Sequence, residues 1–321
     1  MSDGRAGLRN QVQGLAEAIA QISPRPIEIK TFDLAEPWRS LPLVLTARPL
    51  PGMPFSVATP GSDRIAAPWP RVFIGCGRAS IALSLAVKAR SPETFTVQAQ
   101  DPRISPKNFD LVVPPLHDQI TGGNVFPIIG SPNRVTPAKL SEASAHFASR
   151  FEALPRPRIG VLIGGSTKHL KLTQERTTTI AAELGALARA KRGSLALTTS
   201  RRTGAENAQI LTECLSGPNS FVWDGSGDNP YFGILALCDF LIVTEDSVNM
   251  ATESAATGKP IYVLSLDGRP PKKFQRFHSD LRRLNIARPF EGKLEMFSYT
   301  PLNETERAAS EICWRAGLAR S

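Results

Sequence analysis

The sequence has few of the residues that build metal sites or disulfide bridges. Only four cysteines occur in 321 residues, and they are scattered without a CxxC or comparable spacing (Cys76, Cys214, Cys238 and Cys313). This pattern favours a reducing compartment and argues against a zinc site. A D-x-D motif, which would point to a catalytic metal, is also missing. We therefore predict neither a bound metal nor a cofactor.

Long apolar runs are absent as well. No segment approaches the about 20 apolar residues that a membrane-spanning helix needs, and the amino end does not resemble a signal peptide. These absences predict a cytoplasmic protein. The composition is that of an ordinary globular chain, 41% hydrophobic and 21% charged, and its length allows two domains.

Acidic residues are too few to balance the basic ones. The chain has 38 Lys and Arg against 29 Asp and Glu, which gives a formal net charge of +9. An anionic partner is therefore expected, either nucleic acid, nucleotide phosphates or the acidic lipid of a membrane. The basic residues form dispersed pairs such as Arg201-Arg202, without interleaved aromatics or a helix-turn-helix. Nucleic acid is the weaker choice, and peripheral docking at the inner face of the membrane stays open.

The stretch from Phe240 to Leu264 organises the second half of the chain. It begins with a short, β-branched apolar run that is typical of a strand buried on both faces of a parallel sheet. A polar turn follows, then a helix that stops at Gly258 to Pro260, and then a second apolar strand. The sequence therefore predicts a strand–helix–strand unit, whose polar turn contains Thr244, Glu245, Asp246 and Ser247.

Two glutamates of this unit are candidates for a ligand site. Glu245 stands at the carboxyl end of the predicted strand and Glu253 about two helical turns further on. Open α/β sheets bind ligands outside the carboxyl ends of their strands, so both carboxylates can face such a site. A purely structural interpretation remains open, in which Glu245 complements the helix dipole and Glu253 is a solvated helix residue.

Two further strand ends in the second half carry anion-binding candidates. The apolar run Ile159 to Ile163 leads into Gly164, Gly165, Ser166, Thr167 and Lys168, where backbone N–H groups and an ammonium could hold an anion. The spacing is not that of a Walker A loop. The next strand ends at Arg201 and Arg202, which could clamp a diphosphate or form a solvated basic turn.

The first half repeats this pattern of strands that end in polar turns, but its first strand is missing. A Gly-rich turn, Ser2 to Gly7, runs directly into an amphipathic helix, although a strand should precede such a turn in a doubly wound domain. We expect the true start of the chain to lie upstream, the alternative being a vacant first strand position. Three later strands also end in polar residues, among them Asp101, His117 and Asp118.

Strands that alternate with helices throughout predict two Rossmann-like α/β domains that face each other across a cleft, with the first strand of the N-terminal domain missing. The segment Pro155 to Arg158 has the composition of a linker. We therefore predict domains at residues 1–154 and 155–302. A capping-box sequence at Asn303 predicts a final helix within residues 303–321, which would pack back on the N-terminal domain.

Several motifs together resemble a known family over nearly the whole chain. SDGRAG, GCGRASI, GGSTKH, TTSRRTG and VTEDSVNMATESAATGKPIYVL are similar to segments of the bacterial relatives of the plant mitochondrial-fission "elongated mitochondria" proteins. This resemblance implies the GT-B fold of nucleotide-sugar glycosyltransferases. Glu245 and Glu253 resemble the glutamate pair of retaining GT-B enzymes, in which the second residue typically holds the ribose and the first a sugar hydroxyl. Gly164-Gly165-Ser166 instead resembles the donor loop of the inverting peptidoglycan N-acetylglucosaminyltransferase, so the stereochemistry stays open.

The resemblance favours a metal-independent glycosyltransferase that moves a sugar from a nucleoside diphosphate to a lipid or cell-envelope glycan. The C-terminal domain would bind the donor through Gly164, Gly165, Ser166, Thr167, Lys168, Arg201, Arg202, Thr244, Glu245, Asp246, Ser247 and Glu253. The N-terminal domain would bind the acceptor and supply a base, for which the candidates are Asp3, Asp101, His117 and Asp118. Two alternatives remain, a non-catalytic nucleotide-sugar-binding scaffold related to fission factors and a nucleotide-sugar epimerase of the same fold.

Overall fold

The computed structural model describes residues 1–46 and 54–318. Contacts divide the chain into two units, the first formed by Met1–Arg134 together with the segment from Asn303 onward, the second by Val135–Leu302. Both units are built from parallel strands connected by helices, as the sequence predicts.

Unit 1 contains a three-stranded parallel sheet with the order β1-β2-β3. In chain order, its elements up to Arg134 are α1 (Ala6–Ile22), α2 (Leu43–Thr46), β1 (Val72–Cys76), α3 (Arg78–Arg90), β2 (Phe95–Ala99) and β3 (Leu111–Val113). All three strands run in the same direction, so their carboxyl ends lie at the same edge of the sheet. Asp101 follows β2 at this edge, and His117 and Asp118 follow β3.

The first two residues lie along the free edge of β1. The Met1 ammonium donates a hydrogen bond to the carbonyl of Ile74 at 3.0 Å, and the N–H of Cys76 donates to the Met1 carbonyl at 3.1 Å. Ser2 forms a parallel bridge to Thr31. Met1 and Ser2 thus occupy the place next to β1 where a first strand is expected, although no strand precedes α1 in the described residues. Burial lowers the pKa of the Met1 ammonium to about 6.

Unit 2 contains a six-stranded parallel sheet with the order β11-β9-β8-β4-β6-β7. Its elements in chain order are α4 (Pro137–Glu152), β4 (Arg158–Ile163), β5 (Leu170–Lys171), α5 (Gln174–Lys191), β6 (Ser194–Thr199), α6 (Ala205–Leu215), β7 (Ser220–Val222), α7 (Tyr231–Leu237), β8 (Phe240–Thr244), α8 (Val248–Ala255), β9 (Ile261–Leu264), β10 (Asp267–Gly268), α9 (Lys272–Arg283) and β11 (Ala287–Pro289). The short strands β5 and β10 pair with each other in antiparallel fashion.

The strand order of unit 2 reverses between β4 and β8. From β4 the chain first builds β6 and β7 on one side, and then crosses to build β8, β9 and β11 on the other side. The central strands β4 and β8 are apolar except for Arg158 at the start of β4 and Thr244 at the end of β8, and all five residues of β8 are buried, as is typical of strands covered on both faces. Such a reversal creates a crevice at the carboxyl ends of the two central strands, where doubly wound domains bind ligands.

The helix α4 belongs to unit 2, although it lies within residues 1–154, for which the sequence predicts the first domain. Thr136 caps its amino end by accepting a hydrogen bond from the N–H of Lys139 at 3.2 Å. α4 packs closely on α7: a Cβ at Gly233 would lie 2.7 Å from the ring of Phe147. The observed division therefore falls between Arg134 and Val135 and not between residues 154 and 155.

The last described helix, α10 (Glu304–Arg315), returns to unit 1 and packs on α1. Its Ala308, Ala309, Ile312 and Cys313 are buried in the same core as Val12, Leu15 and Ile19 of α1. At its amino end, the Glu304 carboxylate accepts a hydrogen bond from the N–H of Ile129 at 2.7 Å. Unit 1 is thus assembled from both ends of the described chain.

Candidate functional site

The turns after β4 and β8 meet at the point where the strand order of unit 2 reverses. The hydroxyl of Thr244 accepts a hydrogen bond from the N–H of Gly164 at 2.7 Å. One carboxylate oxygen of Asp246, Oδ2, accepts from the N–H of Gly165 at 3.0 Å. Both acceptors are buried, so the two turns are held together by hydrogen bonds shielded from water.

These bonds change the role predicted for the glycines. The expected anion site relies on the N–H groups of Gly164 and Gly165, but both already donate to protein acceptors. The glycines serve the close packing of the turns instead. A Cβ at Gly164 would lie 2.3 Å from both carboxylate oxygens of Asp246, and a Cβ at Gly165 would lie 2.1 Å from the carbonyl oxygen of Arg202. No side chain fits at either position without moving the neighbouring turn.

The turn after β6 forms the third wall of the site. The hydroxyls of Ser200 and Thr203 donate to the carbonyl of Gly164 at 2.6 and 2.5 Å. The guanidinium of Arg202 lies 2.5 Å from Oδ2 of Asp246. Its side chain is 47% exposed whereas that of Asp246 is fully buried. Arg202 is therefore a cation held at the rim of the site by a buried carboxylate, with part of its surface open to a solute.

The buried carboxylate of Asp246 is only partly satisfied. Its other oxygen, Oδ1, has no hydrogen-bond partner among the described residues. A buried acceptor of this kind costs free energy unless a donor reaches it. A ligand that brings a hydrogen-bond donor to Oδ1 would satisfy this oxygen.

The carboxylate and the backbone carbonyl of Glu245 both accept hydrogen bonds from other residues of unit 2. Its carboxylate accepts a hydrogen bond from the N–H of Leu266, beyond the end of β9, at 2.7 Å, and burial raises the pKa of this group. Its backbone carbonyl lies 2.9 Å from Nε2 of His278, on α9. Burial lowers the pKa of His278, so the neutral ring donates from Nε2, and its buried Nδ1 has no hydrogen-bond partner in the described part of the chain. His278 has no local sequence signal that marks it as a site residue.

Glu253 is buried in the second turn of α8, with 7% of its surface exposed. This burial rules out the alternative of a solvated helix residue. Its carboxylate accepts a hydrogen bond from the hydroxyl of Tyr231, at the start of α7. Burial raises the pKa of Glu253 to about 7, and burial together with the Glu253 charge raises the pKa of Tyr231 well above its usual value. Tyr231 is a second residue of this site that sequence reasoning missed.

The other residues predicted in unit 2 divide into internal and exposed groups. The hydroxyl of Ser166 accepts from the N–H of Leu172 at 3.0 Å, and that of Thr167 accepts from the N–H of Leu170 at 3.0 Å. Ser247 caps α8 through the N–H of Met250 at 3.4 Å. These three hydroxyls stabilise the loops. Lys168 and Arg201 are exposed and carry their charges into solvent.

The four base candidates follow strand positions of unit 1 and make mostly local contacts. Asp3 pairs with Arg5 at 2.6 Å, and the exposed Asp101 accepts from the N–H of Arg103 at 2.7 Å. His117 is buried, and its Nε2 lies 4.0 Å from Oδ1 of Asp118. The structure therefore brings His117 and Asp118 together and ties Asp3 and Asp101 to their own turns.

No group of three or more His, Cys, Asp or Glu that could hold a metal ion occurs in residues 1–46 and 54–318. In the same residues, no helix combines the length and the apolar composition that crossing a membrane requires.

Two Rossmann-like units with the site described above define a protein with a GT-B-like fold. The UDP-GlcNAc 2-epimerase from Methanocaldococcus jannaschii is similar, with a TM-score of 0.50 and 12% identity over 76% of this chain and 77% of that one. S. aureus MnaA, solved with UDP, has a TM-score of 0.50 and 11% identity over 98% of this chain and 87% of that one. At these identities the likeness shows the fold alone, and it confirms the predicted fold class.

The chain belongs to the mitochondrial fission ELM1 family, whose model matches residues 6–316. It is 30% identical over 275 residues to the mitochondrial fission protein ELM1 of Arabidopsis thaliana, covering 76% of this chain. A Rickettsia prowazekii protein, RP120, is 26% identical over 294 residues, covering 78% of this chain and 81% of that protein. The chain spans 63% of the length of the Arabidopsis relative. The family predicted from the motifs is confirmed.

Proposed function

We propose that this chain binds a nucleoside-diphosphate sugar at the carboxyl ends of β4, β6 and β8 and transfers the sugar without a metal. The observation that carries the proposal is Arg202, a half-exposed guanidinium fixed by the buried Asp246 at the reversal of strand order. Arginine matches the oxygen pairs of a diphosphate in geometry as well as in charge. Arg201 and Lys168 are exposed in adjoining loops and add positive charge near the same position.

Charge neutralisation is the central requirement of the reaction. When the bond between the sugar and the diphosphate breaks, negative charge develops on the leaving diphosphate, and fixed cations stabilise that charge most where water is excluded. In this proposal Arg202 exchanges part of its contact with Asp246 for the diphosphate. The hydroxyls of Ser200 and Thr203 keep the loop in place during this exchange, because both donate to the carbonyl of Gly164, and that of Ser200 also accepts from the backbone N–H of Arg202 at 3.1 Å.

Glu253 is the residue proposed to hold the nucleoside. A carboxylate that accepts hydrogen bonds suits the paired hydroxyls of a ribose, and Glu253 already accepts one from the hydroxyl of Tyr231. The ribose would replace or share that hydrogen bond. Thr244, Glu245 and Ser247 then shape the site from the turn, through the backbone contacts described above.

Inversion at the sugar needs a base that takes the proton of the acceptor hydroxyl as the new bond forms. Unit 1 supplies the candidates Asp3, Asp101, His117 and Asp118. His117 with Asp118 is the pair we favour for proton transfer, because Nε2 of the imidazole lies 4.0 Å from Oδ1 of the carboxylate. We propose a lipid or cell-envelope glycan as acceptor, at the inner face of a cytoplasmic membrane.

An epimerase is the second candidate. Both solved structures reported above share this fold, one described as a UDP-GlcNAc 2-epimerase and the other solved with UDP. A scaffold that binds a nucleotide sugar without turning it over is the third, because the Arabidopsis relative is described as a mitochondrial fission protein. All three candidates need the same donor site, and they differ in whether the bound sugar is transferred, epimerised or left unchanged.

The test is a calorimetric screen of the purified chain against UDP, GDP, CDP, ADP and dTDP sugars. We expect one of them to bind, and Arg202→Gln to weaken binding at least tenfold, because a charged hydrogen bond contributes about 1.5–3 kcal/mol. Arg189→Gln, an exposed arginine on α5, is the control with the same charge change and should bind normally. Analysis of the bound sugar then separates transfer from epimerisation and from unchanged donor. If none of these sugars binds, all three candidates are wrong.

A further inference from the structure

The positive charge of the chain is concentrated at one place in unit 2. Residues 168–171 and 267–283 together contain eight Lys and Arg and two Asp, a net charge of +6 out of the +9 of the whole chain. The two segments are neighbours because β5 and β10 pair with each other. We call the exposed side of these two segments the α9 surface.

The helix α9 presents its cations on the side opposite to its apolar contacts. Phe277, His278 and Leu281 are buried against the rest of unit 2. At 3.6 residues per turn, Lys272, Arg276 and Arg283 fall within about 40° of one another and on the far side of the helix from Leu281. Since the apolar side is already covered by the protein, α9 cannot insert into a membrane as an amphipathic helix. Its outward side can only attract an anionic surface.

The α9 surface lies at the same edge of the sheet as the candidate site. His278 on α9 contacts the carbonyl of Glu245 at the end of β8, and β5 and β10 follow the carboxyl ends of β4 and β9. A partner bound to the α9 surface would therefore lie beside the strand-end turns of unit 2.

We propose that the α9 surface docks unit 2 on a bilayer containing anionic lipid, with the strand-end turns near the headgroups. The charge complementarity is that of a polybasic segment and an acidic leaflet. Single-stranded nucleic acid is disfavoured because binding it needs exposed aromatic rings for stacking. The two aromatic residues of α9, Phe274 and Phe277, are half-buried and buried.

This proposal rests on the membrane location given in the proposed function and names the surface responsible, but it can fail separately, because docking on lipid does not require a nucleotide sugar. The experiment is co-sedimentation of the full chain with phosphatidylcholine vesicles that contain or lack phosphatidylglycerol. We expect binding only to the phosphatidylglycerol vesicles, and loss of binding as ionic strength rises, because the screening length falls from about 10 Å at 0.1 M salt to about 3 Å at 1 M.

A matched pair of variants locates the contact. Lys272→Gln, Lys273→Gln and Arg283→Gln together remove three exposed charges of the α9 surface. We expect vesicle affinity to fall roughly 100-fold, at roughly fivefold per cation. The control removes three charges at the other end of unit 2, by Arg189→Gln, Lys191→Gln and Arg192→Gln, and should keep at least half of the binding. Thermal unfolding shows whether both variants are folded.

Three results would overturn the proposal. The first is equal binding to vesicles with and without phosphatidylglycerol, and the second is no binding to either. The third is that a single-stranded oligonucleotide of the same charge displaces the vesicles and loses its own affinity in the α9 variant, which would assign this surface to nucleic acid. If the triple variant does not fold, the dependence of the unaltered chain on lipid and salt still decides the first two.

Discussion

Replacement of Glu253 by glutamine should change how the stability of the chain depends on pH. Burial raises the pKa of this carboxyl from its ordinary value of 4.5 to about 7. At 1.36 kcal/mol per pKa unit, this difference corresponds to about 3 kcal/mol of unfolding free energy. The group is buried beside Tyr231, so exposed water screens little of the effect.

The sign follows from the number of protons that each state binds. Between pH 4.5 and about 7 the unfolded chain has lost the Glu253 proton while the folded chain keeps it. The folded state therefore binds more protons, and the unfolding free energy falls as pH rises through this window. The contribution of this group is greatest below pH 4.5 and is lost above about 7. In the opposite sense, the lowered pKa of the Met1 ammonium, from 8.0 to about 6, makes stability rise with pH between those values.

Glu253→Gln removes the pH dependence due to Glu253 and leaves that due to the Met1 ammonium unchanged. Urea unfolding of the chain and of Glu253→Gln, followed from about pH 5 to about pH 8, should show the variant gaining about 3 kcal/mol relative to the unaltered chain across this range. Glu213→Gln, an exposed glutamate on α6, is the control and should give a constant difference. Parallel pH profiles for the unaltered chain and Glu253→Gln would refute the reasoning, since they would mean that folding leaves the pKa of Glu253 unchanged.

Three further substitutions test the packing of the site and of unit 1. Gly165→Ala should destabilise the fold by about 1–3 kcal/mol and weaken donor binding, because its Cβ would lie 2.1 Å from the Arg202 carbonyl oxygen. Thermal unfolding measures the loss, and the control is Gly217→Ala, whose Cβ would meet nothing within 4 Å. Thr244→Val should cost about 1–3 kcal/mol because the buried N–H of Gly164 loses its acceptor, and Thr244→Ser should restore most of it; equal losses in urea unfolding would contradict this role. Ile312→Ala should lower the unfolding free energy by about 2–5 kcal/mol, since the side chain is fully buried. Trp314→Ala, at a 67% exposed position on the same helix, should change the unfolding free energy little. A larger loss for Trp314→Ala than for Ile312→Ala would show that α10 does not pack as described.

The strand–helix–strand unit from β8 to β9 could be predicted because its signals are local. A buried parallel strand is apolar at every position, and Ser247 and Gly258 mark the two ends of the helix region by their backbone preferences. The family motifs then supplied the fold class for both units. None of these inferences required knowledge of which residues meet in space.

Contacts between distant segments could not be predicted in the same way. The pattern around Gly164 and Gly165 indicates a tight turn, but not that Asp246 and the carbonyl of Arg202 approach it so closely. The contacts of Tyr231 with Glu253 and of His278 with the carbonyl of Glu245 join residues separated by 22 and 33 positions, and neither has a local sequence signal. The position of α4 depends likewise on the fit of Phe147 over Gly233, which its amphipathic pattern does not reveal.

The return of α10 to unit 1 has a consequence for synthesis of the chain. A ribosome releases the segments that form unit 2 before the helix that completes the core around Val12, Leu15 and Ile19. Unit 2 can therefore fold while unit 1 still exposes the apolar side of α1, and such exposed surface favours aggregation or chaperone binding during elongation. Because α10 is made after unit 2, the stability of unit 1 depends on a helix that leaves the ribosome later than the whole of unit 2.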